Sequence, residues 1–572
     1  MNTSVTDRCI FKNAKIVDVI TGSVYQGWFS VVNGHFEYVE EGSLSDDNLV
    51  GEVLDLSDQY VLPGFIDAHM HIESSLVTPR SFAAAVAACG TCALLQDPHE
   101  MANVFGTAGI EFMIENANEQ PLKIYTAIPS CVPPTRKRLE TGNAVITARE
   151  VEKLSALENV KALGEVMDYR SVLAEDEDII QILITAKRMG LSIEGHCPTL
   201  KGRELSKYIA YGIRSDHTLT NPSKMHEQLR KGMYVMLQRK SLCPENVAFV
   251  MRLKDRSRIL LVTDDTPPAD LLEKGHLNHV VQLAISNGWD PVDAIASATI
   301  RPAMYLNLDE LGSITPGKTA NFFTVHELSN ITPTQVFVKG RPFTPQMFVA
   351  TKNASRFLSS LTLRQLKAAD FRMVDRKDTT KLQVHIITVN QENSVTDLIR
   401  DDMVFEDGYP NISGKDLVQI AVFRRRERQP TGSIGLLKGL GLRRGGFATS
   451  FAHDSHNLLI IGKDPKSMAR AANMVIQMGG GMVVVDDEQQ ASLELPIGGL
   501  ISDQDLKEVA DKQREIESLL RSLGIRHKNP LALLTVLSLT VSPYYKISDL
   551  GIVDTERSRI IPVVEEGNKY SN

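Results

Sequence analysis

A chain of 572 residues is longer than one hydrophobic core organises, so two to four domains are expected. Its 43% hydrophobic and 23% charged residues exclude wholesale disorder, and a formal net charge of -8 provides no field to gather nucleic acid or an anionic membrane. No stretch reaches the roughly 18 continuous apolar residues of a membrane helix, residues 1–12 have no signal core, and six cysteines make no disulfide framework, so a reducing cytoplasm is the expected compartment.

Taken in order, Ile10-Phe11, Ala14 to Val19, Phe29 to Val32 and Phe36 to Val39 read as short strands of a small β module over residues 1–62. The apolar run Val61 to Ile66 then enters Asp67-Ala68-His69-Met70-His71. In extended backbone residues i and i+2 share a face, so His69 and His71 can aim two imidazoles at one point, half of a divalent transition-metal site.

From residue 63 to 305 strands and helices alternate. Later strands end at Asp97-Pro98-His99-Glu100, near Pro129-Ser130, at Glu165, at His196, at His217, near Gln238-Arg239 and at Asp264-Asp265. With the His-x-His strand they make eight at a pitch of roughly 30 residues, which predicts a (β/α)8 TIM-like barrel. Cys89-Gly90-Thr91-Cys92 after His71-Ile72-Glu73 imitates the zinc signature of nucleobase deaminases. Ala88 stands where that signature has Pro, and both cysteines are expected to be buried as small apolar side chains. Residues 306–350 return to β character and are expected to complete the first module as a β-sandwich flanking the barrel. Residues 351–572 read as a C-terminal α/β domain with a mixed sheet, in which Arg424 to Arg428 is expected to be a solvated face.

A barrel of this kind assembles its active site at the C-terminal ends of its strands. Those ends carry His69, His71, Asp97, His99, Glu100, Glu165, His196, His217, Asp264 and Asp265. Two His from the first end, Glu165, His196, His217 and Asp264 are more ligands than one tetrahedral ion uses, so two divalent ions sharing Glu165 and a hydroxide are expected. Nitrogen and oxygen donors without thiolate suit Zn, Fe(II) or Mn(II). A metal-bound hydroxide, with Asp264 carrying its proton, hydrolyses at a carbon that bears a leaving heteroatom. Amides, esters, phosphoesters and aminopurines all remain open at this point.

The segments PGFIDAHMHIESSLVTP, DPHEMANVFG, LGEVMDY, GHCPTLKG, GIRSDH and VTDD, with FAHDSHNLLIIG and ELPIGGLIS, resemble the bacterial adenine deaminases of the amidohydrolase superfamily over nearly the whole chain. The resemblance implies hydrolytic deamination of adenine to hypoxanthine and ammonia on an Fe(II) or Mn(II) centre, within purine salvage, by a self-associating enzyme. It carries His69, His71, His196, His217 and Asp264 over as metal ligands and Glu165 as the bridging ligand. Asp97 and Glu100 become groups that handle the purine ring or its protons, and His99 a supporting or catalytic group. Asp265 is taken as a substrate-side group, and His453, Asp454 and His456 as groups closing the site from the C-terminal domain. The chain departs from the family at Cys92, at Thr218, at Met236 to Ser241 and at Thr266-Pro267-Pro268. These positions lie near the barrel mouth and leave another aminopurine or pterin-like heterocycle as the alternative substrate, for a deaminase or a cyclic amidohydrolase.

Overall fold

Residues 8–45, 50–135, 139–358, 360–376 and 378–565 are described by the computed structural model. Period-two alternation builds its first sheet, which joins the N-terminal strands to those after the barrel. The eight strands run in the order Arg341–Pro342, Gln335–Val338, Phe322–Val325, Tyr60–Pro63, Arg8–Asp18, Ser23–Val32 and His35–Glu41, with Glu52–Asp55 paired to Arg8–Asp18. Ile16, Val61 and Phe322 face a core of their own with Phe11, Phe29, Phe36 and Phe337. Their chain neighbours Val17, Leu62 and Phe323 face the other way and pack with Val235, Leu237, Ile259 and Leu261 of the barrel. One strand set thus serves two cores, as the alternation of side chains across a sheet requires.

The barrel strands are Phe65–Met70, Thr91–Gln96, Lys123–Ile128, Val160–Val166 and Ser192–Gly195 in one parallel arc, and Ser215–Asp216, Tyr234–Leu237 and Ile259–Leu261 in another. Parallel bridges Ile193 to Ile213 and Met70 to Asp264 close the two arcs into a ring of eight. Ile66, Ala68, Ala93, Leu95, Ala127, Ala162, Met236, Leu260 and Val262 fill the interior.

Two register shifts re-aim side chains above that filling. The first strand carries an extra residue between Asp67 and Met70 relative to the second, and the fourth carries one between Leu163 and Val166 relative to the fifth. An extra residue reverses which parity faces inward. His69 and His71 therefore turn into the mouth above Ile66 and Ala68, and Glu165 does so above Ala162.

In the last third, nine strands form one sheet that is antiparallel except where Thr380–Val389 meets Gly432–Lys438. Helix Pro465–Gln477 starts on an Asp464 cap whose side chain accepts from Lys466 N and Ser467 N, with Pro465 in its first turn. It covers one face through Met468, Ala471, Ala472 and Val475, against Ala421, Phe423, Ile460 and Val483. The opposite face, through Ile420, Val422, Leu459 and Ile461, shares a core with Phe82, Val86, Met101, Val104 and Phe112 of the barrel helices and with Val509, Ile516 and Leu520 of helix Leu506–Ser522. Each such side chain contributes about 1.5–3 kcal/mol on burial, so a shared core fixes this sheet against the barrel.

Arg424 to Arg428 is only in part the solvated face that its charge suggests: Arg426 and Arg428 are exposed, but Arg425 is not. Arg425 is 0% exposed and donates to His456 O, Gly498 O and Ser360 Oγ. Arg424 Nε donates to Asp549 Oδ2 at 2.7 Å, and Arg426 donates to Val104 O while lying 5.5 Å from the Phe105 ring centroid. The run leaves strand Leu417–Phe423 into the seam with the barrel, where backbone carbonyls need donors. Cys92 is buried and Cys89 partly so, as small apolar side chains should be. Among the described residues no helix is long and apolar enough to cross a membrane.

Candidate metal centre

Glu165 organises the barrel mouth. Its Oε1 lies 3.4 Å from His71 Nε2, while its Oε2 lies 2.7 Å from His196 Nδ1 and 3.2 Å from His217 Nε2. The two oxygens of one carboxylate thus face histidines from opposite sides of the ring. Asp264, immediately beyond the eighth strand, puts Oδ1 3.6 Å from His71 Nε2 and 3.9 Å from His69 Nε2. Donor atoms of His69, His71 and Glu165, of His69, His217 and Asp264, and of Glu165, His196 and His217 each gather within 4.8 Å. All six expected ligands are brought together.

The donor set fits a divalent cation. His71 Nδ1 sits 2.9 Å from the backbone carbonyl of Asp97, which can only accept, so Nδ1 carries the hydrogen and Nε2 offers its lone pair to the mouth. His69 Nε2 is buried without a hydrogen-bond partner, and burial, then His217 and His71, hold this imidazole well below its usual pKa. A neutral ring with a buried nitrogen free of hydrogen bonds is available to a metal. Around His217 burial works the other way from charge: it disfavours the imidazolium, yet Glu165 wins and raises the pKa to about 9. Positive charge is wanted between these two residues.

The remaining predicted groups separate by contact. Asp97 Oδ2 accepts from Glu165 N at 2.9 Å, and a side chain on Gly164 would begin 2.2 Å from that oxygen, so Asp97 seats the ligand strand through a close approach that only glycine permits. Burial lifts its pKa to about 6. His99 Nδ1 lies 3.6 Å from Glu165 Oε1, and Asp97, His99 and Glu165 form a further group of donor atoms. Glu100 Oε1 is 2.6 Å from His453 Nδ1 and 3.6 Å from His99 Nε2, while its Oε2 meets His456 Nε2. Asp454 is buried beside His453 at 3.5 Å. Asp265 is exposed at the mouth, where its Oδ1 accepts from Ser74 Oγ at 2.5 Å.

Three contributors escaped the sequence reading. Gln238 donates to Asp264 Oδ2, Glu73 is a buried carboxylate that accepts from Met101 N, and Arg425 holds the carbonyl of His456. Gln238 carried a signal, since it stands at a strand end like the ligands. The departure at Thr218 points away from the mouth: its hydroxyl donates to Asp216 and receives Lys224 Nζ.

Residues 60–343 match the amidohydrolase family, and residues 393–559 match the adenine deaminase C-terminal domain. Adenine deaminase 2 of Carboxydothermus hydrogenoformans is 37% identical over 97% of this chain and 96% of its own length. Adenine deaminases of Methanothermobacter thermautotrophicus and Clostridium perfringens are 36% and 34% identical, over 97% and 98% of this chain and 99% of each relative.

Proposed function

The chain belongs to the adenine deaminase family of amidohydrolases, and from that membership we propose that it hydrolyses adenine to hypoxanthine and ammonia. One observation carries the reading: a chain matching adenine deaminases end to end brings His69, His71, Glu165, His196, His217 and Asp264 to one point.

His69, His71 and Asp264 would hold one divalent ion, and His196 and His217 a second, with Glu165 shared through its two oxygens; Mn(II) or Fe(II) suits the donors, and Zn fits them too. When bound, such ions make a water acidic enough to act as a nucleophile near neutral pH. Asp264 turns one oxygen to the mouth beside His71 and His69, and we assign it the proton of the attacking water. Addition at C6 must be matched by protonation of the ring. The C6–N bond then breaks as the amine takes the proton Asp264 carries and leaves as ammonia. The water's other proton, lost as C6–OH becomes a carbonyl, restores the ring's proton donor, so atoms and charge balance. His453, held against Glu100 by a buried charge, is the group we assign to the ring's proton. Both oxygens of Glu100 are engaged by His453 and His456, so we assign it to holding them and not to the purine. Asp454 and Asp265 then line the substrate side.

Six free cysteines fit a reducing compartment, and we place the enzyme in the cytoplasm and in purine salvage. We take it to self-associate, which light scattering on the eluted protein decides. The activity test is to purify the chain with Mn(II) and follow ammonia and hypoxanthine release from adenine. Release from a different aminopurine or a pterin, with none from adenine, overturns the assignment of substrate.

A further inference from the structure

Gln238 follows the seventh barrel strand, Tyr234–Leu237, directly and is 6% exposed. Its Nε2 donates to Asp264 Oδ2 at 2.7 Å and to the backbone carbonyl of His217 at 3.1 Å. Both partners are acceptors, which fixes the orientation of the amide. Turned over, its oxygen would face a carboxylate and a carbonyl with no hydrogen to share. The side chain therefore ties the strand end that carries His217 to the one that carries Asp264.

Asp264 needs such a tie. Its backbone sits at φ 59°, a left-handed conformation that a non-glycine residue keeps only when its surroundings hold it there. A carboxylate also has two equivalent oxygens on a softly rotating bond. Oδ1 faces His71 and His69, while Oδ2 is turned to Gln238. The partner of one oxygen decides what the other can reach.

We propose that Gln238 is a positioning residue of the metal centre: by holding Asp264 Oδ2 it presents Oδ1 to His69 and His71, and by bonding the His217 carbonyl it sets the spacing between two ligands. The proposal rests on the metal reading above and deepens it. An amide does this without adding charge.

The test uses Gln238→Met, of similar length without a donor, and Gln238→Glu, of the same shape with acceptors only. Mn(II) affinity is titrated by following free Mn(II) by electron paramagnetic resonance, beside the Tm of the metal-free protein and kcat and KM for adenine. Gln238→Met is expected to weaken Mn(II) binding about 10- to 100-fold and to lower kcat with KM little changed, while the metal-free Tm moves only a few degrees. Gln238→Glu, which also has no hydrogen to give Asp264 Oδ2 or the His217 carbonyl, should lower kcat as well. A residue serving stability alone would lower the metal-free Tm and leave the affinity of the folded protein at the wild-type value, and that result overturns the proposal. The parent reading fails separately, and takes this one with it, if wild type binds no Mn(II) or if His217→Ala binds it as tightly as wild type.

Discussion

Glu100 Oε1 lies 2.6 Å from His453 Nδ1, so the end of the second barrel strand is fastened to a loop of the C-terminal domain. His456 completes the clasp. Its Nδ1 accepts from Ala452 N, which makes it the neutral tautomer with hydrogen on Nε2, and that hydrogen is given to Glu100 Oε2. Burial opposes charge on every member. His453, His456 and His99 nevertheless keep Glu100 well below the usual carboxylate range, and Glu100 and Asp454 keep His453 well above the usual imidazole range. The outcome is one buried cation facing one buried anion, with a neutral imidazole behind.

Glu100→Gln takes from the His453 cation the closer of its two carboxylates. Breaking a buried pair by removing one member costs about 3–5 kcal/mol, so a lower Tm is expected together with a fall in kcat of tenfold or more (about 1.4 kcal/mol of barrier). Metal content, measured by mass spectrometry of the purified protein, should stay at the wild-type value. Loss of metal in this variant would make Glu100 a ligand and remove the clasp from the account.

Glu165→Gln tests the shared ligand. The amide keeps the shape, but its nitrogen end has no lone pair to offer, so either the His71 side or the His196 and His217 side loses an oxygen donor. Metal content and deaminase activity should fall together. Wild-type metal content with intact turnover would show that the two oxygens of Glu165 are not both used.

Thr218 was suspect because it departs from the family at the mouth. Its hydroxyl instead belongs to a buried cluster with Asp216, Lys224 and Gln228, in which Lys224 Nζ lies 2.9 Å from Asp216 Oδ2. Thr218→Val should cost about 1 kcal/mol of stability, the worth of a lost hydrogen bond, and leave KM for adenine within a factor of about two, a difference of under ~0.5 kcal/mol. A tenfold change in KM would place this residue against the substrate.

How much of this was legible in the sequence depends on the range of the contact. The barrel followed from period and pitch, and the ligands followed from acidic and histidine residues standing where strands end. His69 and His71 share a face as their spacing demands, but the extra residue between Asp67 and Met70 that turns that face inward is a property of pairing with the next strand and leaves no mark in local composition. The contact of Glu100 with His456 spans 356 residues and depends on how two cores dock, so only a resemblance could suggest it. Arg425 misled in the opposite direction: a charge run reads as surface until a seam of carbonyls is placed around it.

Lys546 offers a test by pH that is remote from the centre. Its side chain is buried in strand Tyr545–Ser548, where Nζ donates to Ser394 O at 3.0 Å and Thr396 Oγ1 at 3.3 Å, both oxygens of uncharged groups. Burial lowers its pKa to about 7. An unfolded chain returns it to the ordinary lysine value of about 10.4. Between those two values the unfolded state binds the extra proton, so this residue makes stability rise with pH from about 7 to about 10 and adds no slope below 7. Lys546→Met keeps the length and removes the charge. It should therefore stabilise the protein more at pH 6 than at pH 9.5, by on the order of 3 kcal/mol, read as the pH dependence of the difference between the two unfolding curves. A difference that does not change with pH would mean that Lys546 keeps its proton in the fold at pH 9.5, and that the two oxygens around it outweigh the burial.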